Sequence, residues 1–117
     1  MKGLTTHILD LTHGQPASGV DIELYRLEGA GKHLLHTAAT NTDGRLDNPL
    51  LPFDNMRTGE YELLFYIGDY FRKKGVPLSN PAFLDKVSVR IGLDGRSPRY
   101  HVPLLISPWG YQVYRGS

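Results

Sequence analysis

The stretch Lys86-Val87-Ser88-Val89-Arg90-Ile91-Gly92-Leu93 decides the fold class. Val87, Val89, Ile91 and Leu93 fall on one side of an extended chain, and Lys86, Ser88 and Arg90 fall on the other. A period of two with an apolar and a polar side marks a half-buried strand of an antiparallel sheet. The same alternation recurs upstream. Val20, Ile22 and Leu24 oppose Asp21 and Glu23, and Tyr61, Leu63, Phe65 and Ile67 share one face. Segments 4–11, 33–40, 100–106 and 111–115 bring the long candidate strands to seven, with room for a short one at 50–53. Turn chemistry separates them, at His13-Gly14-Gln15-Pro16, Glu28-Gly29-Ala30-Gly31, Asp43-Gly44, Gly75-Val76-Pro77, Asp94-Gly95 and Ser107-Pro108-Trp109-Gly110. Only 69–74 reads as helix, closed by Gly75 with Pro77 beyond it. Short strands at this spacing predict an all-β sandwich or barrel, not an alternating α/β fold.

A chain of 117 residues is one domain, spanning 1–117. It contains no cysteine, which excludes disulfides, thiolate-held metals and a thiol nucleophile. Lys+Arg 13 against Asp+Glu 12 gives a formal charge of +1, without the clustered excess of a nucleic-acid binder. The basic run Arg72-Lys73-Lys74 is read as a solvated face. No apolar stretch reaches the ~20 residues of a membrane helix. Residues 1–7 show no apolar signal-peptide core, so a cytoplasmic location is expected.

Two segments depart from the pattern. Leu4-Thr5-Thr6-His7-Ile8-Leu9-Asp10 has no clean polar face. His101-Val102-Pro103-Leu104-Leu105-Ile106 is apolar on both faces and holds a proline, which belongs at an edge or an interruption of a ladder. A strand apolar on both faces in a small sandwich predicts a second subunit against it. These segments carry His7 and His101, whose imidazoles titrate near neutrality and suit proton transfer. His33 and His36 have metal-like spacing, yet positions i and i+3 of a regular strand face opposite ways, so no zinc site is expected from them. His13 is expected in solvent, beside Gly14. Asp43 is read as the cap of the Asp43-Gly44 turn. Arg45 follows that turn, where a guanidinium can clamp a planar anion or carbonyl. Tyr70, Phe71 and Trp109 are read as core or interface residues. The last residues, Tyr111 to Ser117, stay in strand phase nearly to the end, where chains usually fray.

Three blocks together carry a resemblance. They are Leu4-Thr5-Thr6-His7-Ile8-Leu9-Asp10 with Gly14-x-Pro16-Ala17 after it, then Thr42-Asp43-Gly44-Arg45, then Tyr100 to Tyr111 ending in Tyr114-Arg115-Gly116-Ser117. This pattern resembles the 5-hydroxyisourate hydrolases, transthyretin-like enzymes of urate breakdown, over essentially the whole chain. The terminal Tyr-Arg-Gly-Ser is its most specific element and is absent from the hormone-carrying transthyretins. The resemblance implies a transthyretin-like two-sheet β-sandwich of about eight strands with one short helix. It also implies a homotetramer with active sites where dimers meet. The implied catalytic residues are His7, Arg45, His101 and Ser117, and the implied substrate contacts are His7, Arg45 and Tyr114. The implied reaction is hydrolytic opening of the ring of 5-hydroxyisourate to 2-oxo-4-hydroxy-4-carboxy-5-ureidoimidazoline, with no metal or organic cofactor. The alternatives are a small-molecule carrier on the same sandwich and a structural module with no use for the two histidines.

Overall fold

The three segments with the cleanest alternation become neighbours in one sheet. The computed structural model describes residues 2–117. Its strands are β1 (Gly3–Asp10), β2 (Gln15–Pro16), β3 (Asp21–Glu28), β4 (Gly31–Ala39), β5 (Gly59–Phe65), β6 (Val87–Leu93), β7 (Arg99–Ser107) and β8 (Gly110–Val113), with one helix, α1 (Ile67–Lys73). One sheet has the order β4-β3-β5-β6, all antiparallel, and the other β2-β1-β7-β8. The sheets bury Ile22, Leu24, Leu63, Phe65, Val87 and Leu93 from one side against Leu4, Ile8, Val102, Leu104 and Ile106 from the other. Ile67 and Phe71 of α1 complete this core. Each such side chain is worth about 1.5–3 kcal/mol when fully buried.

The two irregular segments, β1 and β7, form the parallel central pair of the second sheet. Their core-facing residues alternate as expected: Leu4, Thr6, Ile8 and Asp10 on β1, and Tyr100, Val102, Leu104 and Ile106 on β7, are buried. The intervening residues Thr5, His7 and Leu9, with His101 and Leu105, are only half-buried and look outward. Pro103 sits in an interior strand, so it marks an interruption and not an edge. The β7–β8 ladder stops at Leu104↔Val113, and beyond it the Pro103 carbonyl only accepts a long bond from Tyr114 N–H at 3.4 Å. The missing proline N–H thus faces the point where β8 ends.

Several expectations need correction. Residues 50–53 form no strand: Leu51 makes a single bridge to Leu4, and a 3-10 turn follows at Phe53–Asn55. The eighth strand is instead the two-residue β2, an edge position that tolerates Pro16. The helix begins at Ile67, two residues earlier than expected, and β8 ends at Val113. A register shift between Leu24 and Tyr25 inserts an extra residue into β4, so His33 and His36 stand opposite Arg26 and Leu24, which share a face. The opposite-faces argument for that pair therefore fails. His33 Nε2 lies 3.6 Å from Glu28, and no group of three or more His, Asp or Glu side chains clusters as a ligand set among the described residues. His13 is exposed, as expected, and also held by Asp10: its Nδ1 is 2.5 Å from Asp10 Oδ2, and its backbone N–H donates to Oδ1 at 3.0 Å. Tyr70 and Phe71 are buried, whereas Trp109 is 64% exposed and stacks loosely on Phe83.

Candidate active site

The parallel register of β1 and β7 sets Thr5 beside His101 and His7 beside Pro103. Residues two apart on a strand share a face, so Thr5, His7 and His101 stand together on the outward side of the second sheet. Thr5 Oγ1 and His101 Nδ1 share a hydrogen bond of 2.8 Å. Thr6, its neighbour, points inward and donates to the Val102 carbonyl at 2.6 Å.

Arg45 reaches this face by way of a turn. Gly44 adopts φ +74°, and a Cβ there would stand 2.4 Å from the Ile8 carbonyl oxygen, so only glycine lets the turn close on β1. The Ile8 N–H then donates to the Gly44 carbonyl at 2.8 Å, and Arg45 forms a bridge with His7. The cap of the turn is Asn41 and not Asp43: Asn41 Oδ1 accepts from the backbone N–H of Asp43 at 2.9 Å and of Arg45 at 3.2 Å. An Asx acceptor two residues upstream of the tight bend serves this geometry.

The C-terminal tail completes the wall. Beyond β8 it runs on beside β7 in the same antiparallel register, and the Gly116 N–H donates to the His101 carbonyl at 2.8 Å. A Cβ at Gly116 would approach His101 Cδ2 to 2.7 Å and Pro103 Cγ to 3.1 Å. The glycine hydrogen alone lets the tail lie against the imidazole. A cleft of about 320 Å³ results, lined by Thr5, Arg45, Asn48, Arg99, His101 and Ser117 among others.

Burial and the nearby Arg45 charge hold both imidazoles neutral near pH 7. Burial lowers the His101 pKa below the usual 6.5, and the charges of Arg45 and His7 lower it further, against a backbone hydrogen bond to Thr5. Burial and then Arg45 lower that of His7, with the backbone and charge of Asp43 opposing. An exposed guanidinium, a neutral imidazole and a hydroxyl around one cleft can bind a flat polar ring, take a proton from water and hold a developing oxyanion.

Of the residues singled out from sequence, Arg45, His101 and Ser117 line one cleft, and His7 lies beside it, bridged to Arg45. Tyr114 does not join them within one protomer. It is 53% exposed and borders a separate groove with Val89, Val113 and Arg115. Thr5, Asn48 and Arg99 were not foreseen. Period two marks Thr5 as facing with His7, and Arg99 as facing with His101, but only the β1–β7 pairing brings Thr5 to His101. Nothing in the sequence marks Asn48.

A family model, "HIUase/Transthyretin family", matches residues 4–116. The chain is 55% identical to "5-hydroxyisourate hydrolase 2" of Rhizobium meliloti, over 97% of this chain and 95% of that one. Its structure is similar to that of Klebsiella pneumoniae 5-hydroxyisourate hydrolase, with TM-score 0.79 and 33% identity, covering 100% of this chain and 94% of the other. It is also similar to sea bream transthyretin in complex with thyroxine, with TM-score 0.87 and 23% identity over 97% and 93% of the two chains; at that identity the likeness shows the fold alone.

Proposed function

This chain belongs to the HIUase/transthyretin family and is an enzyme of the 5-hydroxyisourate hydrolase kind, and we propose that His7, Arg45, His101 and Ser117 carry its reaction. The observation behind this assignment is the meeting of Arg45, His101 and Ser117 in one cleft with His7 at its border. The substrate ring enters with the carbonyl to be attacked toward Arg45. A water oxygen adds to that carbonyl carbon while His101 takes the water proton. The carbonyl electrons move to oxygen, and the Arg45 fork holds the oxyanion; such a donor is worth about 2.7–4 kcal/mol of barrier. The oxyanion collapses, the ring C–N bond breaks, and the leaving nitrogen takes a proton from His101. A carboxylic acid is left where the amide carbonyl was, and it releases its proton to solvent to become the carboxylate. His7 orients the ring, and the Ser117 hydroxyl bonds water or substrate. No step in this scheme draws on a metal or organic cofactor.

The proposal includes a homotetramer. Leu11, Trp109 and Tyr111 are exposed, and Leu9 and Leu105 look outward from the central strands, so a second copy would bury an apolar face. Tyr114, which does not line the cleft of its own protomer, is then assigned to substrate through the assembly. Among the described residues no helix is long and apolar enough to cross a membrane. We place the reaction in the cytoplasm, which cell fractionation tests.

The deciding experiment mixes purified protein with 5-hydroxyisourate generated in place by urate oxidase and follows its ultraviolet decay against a blank without protein. Decay that scales with protein and collapses in His101→Asn and Arg45→Ala supports the assignment. Wild-type decay retained in both variants refutes it.

A further inference from the structure

We propose that Thr5 is a positioning residue that fixes which nitrogen of His101 carries the proton. Its hydroxyl oxygen accepts from Nδ1–H and so leaves the Nε2 lone pair facing the cleft. The inference rests on His101 being the base.

The 2.8 Å contact between Thr5 Oγ1 and His101 Nδ1 joins direct register partners on the two central strands of the sheet, so neither backbone has freedom to drift. Threonine is β-branched and stiff at χ1, which holds the hydroxyl in place. The far side of the ring is equally confined. Gly116 lies against Cδ2, the carbon next to Nε2, and Ser117 follows it into the cleft wall. The imidazole is therefore held between β1 at Nδ1 and the tail at Cδ2.

A hydroxyl can donate or accept, so the direction of the bond needs a second argument. The reaction supplies it: a base must offer a lone pair to water, and Nδ1 is already engaged by Thr5, so that lone pair has to be on Nε2. The hydrogen of the neutral ring is then on Nδ1, and Thr5 Oγ1 accepts it. With Nδ1–H directed at Thr5, neutral His101 presents Nε2 as the acceptor, as a base must. Were Thr5 to donate instead, Nε2 would carry the proton and the imidazole would be idle as a base. Groups that orient a functional imidazole through its second nitrogen are worth about 10–100-fold where they have been removed from metal sites.

The test compares Thr5→Val, which keeps the shape and loses the hydroxyl, with Thr5→Ser, which keeps the hydroxyl. Nitrogen NMR of imidazole-labelled protein reads the His101 tautomer directly. The wild type should show Nδ1–H, and Thr5→Val a mixed or inverted population. In the decay assay Thr5→Val should lose about 10–100-fold in kcat with KM within about threefold, and Thr5→Ser should recover most of the loss. A wild-type His101 protonated on Nε2, an unchanged tautomer in Thr5→Val, or Thr5→Val activity within twofold of wild type overturns the inference. The tautomer is read without turnover. Failure of the hydrolase assignment and failure of the Thr5 inference are thus separable.

Discussion

Exchanging Gly116 for alanine strikes the site where its parts are closest. A Cβ at 116 would stand 2.7 Å from His101 Cδ2 and 3.1 Å from Pro103 Cγ, both on rigid rings of an interior strand. Carbon atoms settle at about 3.5–4.0 Å, so the tail must retreat by roughly 1 Å. Gly116 is not among the glycines at positive φ, so alanine adds no backbone strain and the effect is one of contact alone. Retreat stretches the 2.8 Å bond from Gly116 N–H to the His101 carbonyl, a loss of about 0.5–1.5 kcal/mol. It also shifts Ser117 in the cleft wall, and a misplacement of ~1 Å can cost ~100-fold in rate. We expect kcat/KM to fall about 10–100-fold by ultraviolet decay of the substrate. The tail lies beyond β8 and outside the core, so Tm should fall by no more than about 6 °C. Gly31→Ala is the control, because its Cβ would meet nothing closer than the Glu28 carbonyl at 3.8 Å. Gly116→Ala activity within twofold of wild type would refute the account of the tail.

Because burial and Arg45 hold His101 below 6.5, the acid limb of kcat/KM should lie below pH 6.5. Arg45→Gln should move it upward as well as lower the plateau, and an unmoved limb in the residual activity counts against the coupling. The same shifts bear on stability. His7 and His101 bind protons less readily folded than unfolded, so their contribution is present above pH 6.5 and is lost as pH falls through the lowered values; His101→Asn should flatten the dependence of Tm on pH below 6.5. Tyr70 donates to the buried Asp10 carboxylate at 2.7 Å, so Tyr70→Phe should cost about 1.5–3 kcal/mol in urea unfolding with kcat unchanged. Along β1, Leu4→Ala and Ile8→Ala should each cost about 2–5 kcal/mol of stability, whereas His7→Asn should lose activity with little change in Tm; variants in which both quantities fall together would contradict the facing of that strand.

The sheet β4-β3-β5-β6 was legible because one of its faces meets water. Val87, Val89 and Leu93 alternate with Ser88 and Arg90, and a one-residue slip would reverse every side chain, so the pattern fixes both strand and facing. The second sheet was not legible in the same way. Leu4 to Asp10 and His101 to Ile106 serve a core on one side and a functional face on the other, and neither use leaves a uniformly polar row. Their parallel pairing is a contact between residues 96 apart, as for Thr5 and His101, and no local preference encodes it. The turn cap was misassigned for a related reason. Asp43 sits in the tight bend itself, but the acceptor must lie upstream to reach two following N–H groups, which Asn41 does. His33 and His36 were misjudged because a bulge shifts the phase of a strand, and Leu34 and Leu35 give no sign of one.

Pro103 and Gly116 explain together why residues 114–117 become part of a site. An uninterrupted β8 would continue its ladder along β7 past Leu104 in the register that pairs Val113 with Leu104 and Gly116 with His101. Proline at 103 withholds the next N–H, and the ladder ends at Val113. The following residues leave strand geometry, yet the chain is caught again two residues along β7, where the His101 carbonyl receives the Gly116 N–H. Only a residue without a side chain can sit there, because the imidazole and the Pro103 ring occupy the space a Cβ needs. Ser117 follows and reaches the cleft. A proline that ends the ladder, a glycine that passes the imidazole and a serine that follows are thus three consequences of one constraint. The tail has to approach His101 closely enough to confine its ring while leaving Nε2 free toward the cleft.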